Sequence, residues 1–134
     1  MKRLGFLVAI AIAAVGGVSR QAPAGVQPQL LHVDVAEWSI VPAAGVVAAG
    51  PTRIVVRNLG EDVHQITLVR TARFGADLPL RDDHAVVRPI AVSRIVLGGR
   101  ATAFSVVLRR GSYVLLDNLP WNYWRGASVA FTVR

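Results

Sequence analysis

Beyond its first two dozen residues this chain has no stretch with helical periodicity, and nothing else limits its fold as strongly. Short alternating or β-branched runs recur instead, each stopped by glycine, proline or asparagine. Residues 32–40 alternate loosely between polar and apolar, as a half-buried strand does. Pro42 to Pro51 supplies turn chemistry around Val46 and Val47. Residues 53–57 form a β-branched strand closed by Asn58-Leu59-Gly60, and residues 63–69 alternate again, which predicts that these two pair as a hairpin. Residues 71–91, with Gly75, Pro79 and Pro89, predict a long irregular connection with one helical turn. Ile95-Val96-Leu97 leads to the turn Gly98-Gly99, and residues 103–108, 113–116 and 129–133 are the remaining strands. Runs spaced this evenly predict an all-β sandwich or barrel.

The front of the chain has a different character. Lys2 and Arg3 precede the apolar run 4–15, and small residues follow, which is the pattern of a secretory signal peptide with its cleavage region over residues 1–24. An uncleaved leader would be the chain's only attachment to a membrane. Residues 25–32 read as a linker and residues 33–134 as the domain.

Having no cysteine, the chain has no disulfide, no thiolate ligand and no thiol nucleophile, so the domain must hold by core burial alone. Its net charge of +7 rests on one lysine and fourteen arginines, which are scattered along the chain. Without clustered cations and interleaved aromatics, a nucleic-acid surface is not expected. No nucleophile elbow, metalloprotease helix or phosphate loop occurs, so no enzymatic activity is expected. Asp82-Asp83-His84 could be an acid/base group, but in an irregular loop it reads as a solvated turn.

Two features carry a family resemblance. One is Asn58-Leu59-Gly60 followed by His64; the other is the closing unit from Gly111-Ser112-Tyr113 through Asp117, Asn122 and Gly126 to Phe131-Thr132-Val133. Together they resemble the cupredoxins, small blue-copper proteins, over about residues 33–134. The resemblance implies an eight-strand Greek-key β-sandwich with a metal site at one loop end. It places His64 at the early histidine ligand, Asp117 at the cysteine, Asn122 at the second histidine and Ala127 at the axial methionine. A type 1 site needs thiolate and two imidazoles, so three of four positions hold the wrong residue.

Two expectations follow for that site. Asp117 and Asn122 form a hydrogen-bonding pair that fills it, with no cofactor. Alternatively, His64, Asp117 and Asn122 bind copper or zinc through oxygen and nitrogen. The loop also carries Trp121, Tyr123, Trp124 and Arg125, residue types favoured at binding hot spots. These either dock an unknown periplasmic or extracellular protein or fold inward to plug the emptied end.

Overall fold

The computed structural model describes residues 25–134, so the signal-peptide expectation for residues 1–24 lies outside the described residues. Eleven strands follow in order: β1 (Gln29–Ala36), β2 (Ser39–Pro42), β3 (Val46–Val47), β4 (Gly50–Asn58), β5 (Ile66–Arg70), β6 (Leu80–Arg81), β7 (His84–Ala85), β8 (Ala91–Val92), β9 (Ala101–Leu108), β10 (Gly111–Asp117) and β11 (Ser128–Val133). A single 3-10 turn, Gly75–Asp77, interrupts them. One sheet runs β2-β1-β4-β9, a second runs β3-β11-β10-β5-β8, and β6-β7 is a small separate hairpin. The all-β sandwich is the architecture that the alternating runs imply. Among the described residues no helix is long and apolar enough to cross a membrane.

Strand periodicity places the core. In β4, Thr52, Ile54, Val56 and Asn58 turn inward, and in β1 Leu31, Val33 and Val35 do the same. Opposite them, Ile66 and Leu68 of β5, Tyr113 and Leu115 of β10, and Phe131 and Val133 of β11 complete the main core. Burial of this kind contributes roughly 1.5–3 kcal/mol per large apolar side chain. The second sheet is covered on its outer face as well. Val69, Val114 and Leu116 pack there with Leu78 and Ala85 from the 71–91 connection. That explains why residues 113–116 read as a continuous apolar run.

Three expectations are corrected. Strands β4 and β5 are not a hairpin: β4 pairs with β1 and β9, whereas β5 pairs with β10 and β8. Their apolar faces oppose each other across the core, so the chain crosses between sheets after Asn58. Residues 32–40 are not one strand either, because a tight turn at Glu37-Trp38 splits them into the antiparallel pair β1–β2. Finally, β1 starts at Gln29, inside the segment expected to be linker, because Gln29 already pairs with Thr52.

Candidate functional site

Two loops and a strand end meet at one pole of the sandwich. Asn58, the last residue of β4, is buried; its amide donates to the carbonyls of Asp62 (2.6 Å) and Val96 (3.1 Å) and accepts from Gly60 N–H (2.9 Å). Glu37 holds the same loop from the β1–β2 turn, its Oε1 accepting from Glu61 N–H (2.7 Å) and Asp62 N–H (3.0 Å). Any Cβ on Gly60 would collide with that carboxylate. His64 then exchanges backbone hydrogen bonds with Val96 and is fixed before β5 begins.

These N–H groups, that of Asp62 first, hold the Glu37 carboxyl below its ordinary value of 4.5. A depressed carboxyl stabilises the fold above its ordinary value and loses that contribution as pH falls through the folded one. Glu37→Gln should therefore melt below wild type at pH 7, with the gap closing as pH drops below 4.5. A gap constant between pH 7 and pH 3 in paired thermal melts would contradict this.

The end of β10 brings Asp117 to the imidazole. His64 Nδ1 lies 2.6 Å from Asp117 Oδ2, with the two side chains 2% and 1% exposed. Asn122 Nδ2 donates to the same oxygen at 2.9 Å, and Leu119 N–H donates to Oδ1 at 3.0 Å. One buried carboxylate thus accepts from three donors, so its charge is compensated by hydrogen bonds as a buried charge must be. With the proton on Nδ1 the ring donates to Asp117, and Nε2 keeps a lone pair that has no partner among the described residues. Ala127 is buried beside them, its backbone bonded to Asp117 N–H (3.0 Å) and Asn122 carbonyl (3.1 Å). The structure therefore brings together all four positions that the resemblance assigns to metal ligands.

The residues do not fit type 1 copper. The carboxylate stands where thiolate is required, only one imidazole is present, and its Nδ1 is bonded to that carboxylate. Among the described residues no group of three or more His, Cys, Asp or Glu side chains could hold a metal ion. His32 lies exposed on β1 in the other sheet. Half-exposed His84 bonds Asp83 at 2.8 Å on the β6–β7 turn, and this contact lowers the Asp83 carboxyl from its ordinary value. The Asp82-Asp83-His84 turn is thus an exposed hairpin tip.

The aromatic residues of the loop divide between two environments. Tyr123 is buried with Val69, Leu78 and Leu116; its hydroxyl donates to Gly75 carbonyl (2.6 Å) and accepts from Leu78 N–H (2.9 Å). Burial raises its phenol above the ordinary value. Tyr123 is therefore not part of the docking surface expected of it: it closes the outer core, not the emptied end of the sandwich. Trp121 and Trp124 are 49% and 63% exposed and meet edge to face at 6.1 Å. Exposed Arg125 places its guanidinium 5.3 Å from the ring centre of Trp38, itself 47% exposed. Nothing in the sequence points to Trp38, because the Glu37-Trp38 turn holds no Gly, Asn, Asp or Pro, and Trp38 carries a φ of 58°. All three tryptophans of the chain thus gather at this pole. A shallow groove lined by Val63, Ile95, Leu119 and Pro120 lies nearby.

No family model matches the chain, and no curated protein matches it. Solved structures do. Reduced auracyanin from the photosynthetic bacterium Roseiflexus castenholzii aligns with 82% of this chain and 99% of its own, at 17% identity and a TM-score of 0.58. Reduced rusticyanin aligns with 81% of both chains at 15% identity and a TM-score of 0.55. Auracyanin A, a "blue" copper protein from Chloroflexus aurantiacus, covers 81% of this chain at 13% identity and a TM-score of 0.52. Identities this low establish a shared fold.

Proposed function

The chain has the cupredoxin fold, and from that premise we propose that it is an exported, non-catalytic binding module that engages a periplasmic or extracellular protein through its tryptophan pole. The observation that carries the reading is the exposure of all three tryptophans around Arg125, while the Asp117 carboxylate at the same pole is taken up by His64 Nδ1 and Asn122 Nδ2. Tryptophan is costly to leave in water, and a cluster of this kind marks an interaction surface. With the thiolate gone, what remains at this end is shape and apolar surface.

The test is retention of a partner from a periplasmic extract on immobilised wild-type protein and on the Trp121→Ala/Trp124→Ala double variant. Loss of an anchor ring commonly costs about 2 kcal/mol or more, roughly thirtyfold in affinity. Retention by wild type that the double variant lacks is expected; equal retention would defeat the proposal. A second reading, a non-blue copper site for copper handling or electron transfer, draws on the convergence of His64, Asp117 and Asn122. Titration with Cu(II) separates the two. Under the first reading melting is unchanged; a rise in melting that His64→Ala abolishes would favour the second. Neither reading allows an intense sulfur-to-copper colour, since no thiolate exists in the chain.

A further inference from the structure

Each sheet has two edges, and three of these four are blunted. β3 and β8 have two residues each, and β2 has four and ends in Pro42. The fourth edge is β9: eight residues, Ala-Thr-Ala-Phe-Ser-Val-Val-Leu, without charge or proline. Edge strands of this length and composition are templates for pairing, and proteins normally guard them.

The ladder shows which groups are free. Asn58 N–H bonds the Arg100 carbonyl at 2.8 Å, and Arg57 stands opposite Ala101. Alternation from that pair turns the backbone groups of Thr102, Phe104, Val106 and Leu108 toward β4. Ala101, Ala103, Ser105 and Val107 therefore present theirs outward, and among the described residues nothing bonds them. The core is open along the same line, because Phe104 and Val106 face inward yet are only partly buried. Beside them Pro28, Pro51, Thr52 and Val107 line a groove.

Charge decides the occupant. Arg100 precedes the strand and Arg109-Arg110 follow it; all three are exposed and make no ion pair among the described residues. A second copy would set arginine against arginine at both ends, whichever way it ran. The chain's own first residues cannot answer these cations, since the first carboxylate in the sequence is Asp34. We propose that the free edge of β9 is a strand-addition site for an extended, alternating apolar segment of a partner protein that carries carboxylates at both ends. Main-chain hydrogen bonds hold that segment, and the flanking arginines set its length at about eight residues, roughly 26 Å. This surface is separate from the tryptophan pole.

The probe is a synthetic peptide of four Thr-Val repeats closed at each end by Asp-Glu, compared with the same repeats closed by Lys-Lys. The acid-ended peptide should bind the full protein at least tenfold tighter. Ser105→Pro removes one outward N–H and leaves the β4 ladder intact, so it should lower binding at least tenfold without moving the melting temperature. Arg100→Glu/Arg109→Glu should reverse the peptide preference, which keeps the test decisive if Ser105→Pro misfolds. Binding of neither peptide, equal binding of both, or an unchanged preference in the reversed variant would overturn the proposal. So would a dimer in sedimentation that Ser105→Pro dissociates, since the occupant would then be a second copy.

Discussion

Asp117→Ala is the substitution expected to destabilise the fold most. It strands three donors at once: His64 Nδ1, Asn122 Nδ2 and Leu119 N–H. Removing one member of a buried pair costs about 3–5 kcal/mol, because the partner keeps its desolvation penalty and loses its compensation. At about 4 °C or more per kcal/mol for a domain of this size, the melting temperature should fall by at least roughly 12 °C. Asn122→Ala leaves the carboxylate two donors and should cost only about 1 kcal/mol. The double replacement His64→Phe/Asp117→Leu removes both partners in favour of apolar volume and should lose less than Asp117→Ala alone. Equal melting temperatures for Asp117→Ala and Asn122→Ala would mean that the carboxylate is not the hub of this hydrogen-bond network.

Tyr123→Ala comes next, and its value lies in the contrast with its neighbours. It empties a ring-sized space between Val69, Leu78 and Leu116 and removes two hydrogen bonds to the 71–91 connection, so about 3–5 kcal/mol should be lost. Trp121→Ala and Trp124→Ala remove half-exposed rings and should stay within about 0.5 kcal/mol of wild type. Chemical denaturation of the three single variants separates the ring that closes the outer core from the rings available to a partner. A large loss for either tryptophan would return it to the core and shrink the proposed surface.

Much of this was legible in the sequence, for reasons particular residues make plain. Alternation in β4 and the continuous apolar run in β10 marked strands, because a two-residue period has few other solutions. The resemblance to the cupredoxins places Asp117, Asn122 and Ala127 at one site through the five-residue spacings they share with that family's loop, and the backbone bonds among them hold them together there. Periodicity says which face of a strand is buried but not which strand lies beside it, so residues 53–57 and 63–69 read as a hairpin although β4 and β5 lie in different sheets. Trp38 is not legible because its turn carries a positive φ on a residue type that seldom adopts one. Tyr123 sits two residues from Trp121 in a loop with no regular period, and only the covering 71–91 connection decides that it turns in.

The gathering of every tryptophan at one end has a spectroscopic consequence. Indole emission in the folded protein comes wholly from rings already about half in water, so it should be red-shifted before any denaturant is added. Heating followed by that emission would then report the pole, while far-ultraviolet circular dichroism would report the strands. The two curves coincide if the pole and the sandwich melt as one cooperative unit. If the loops around Arg125 open first, the emission curve leads, and the interval between them measures how independently this end of the molecule moves.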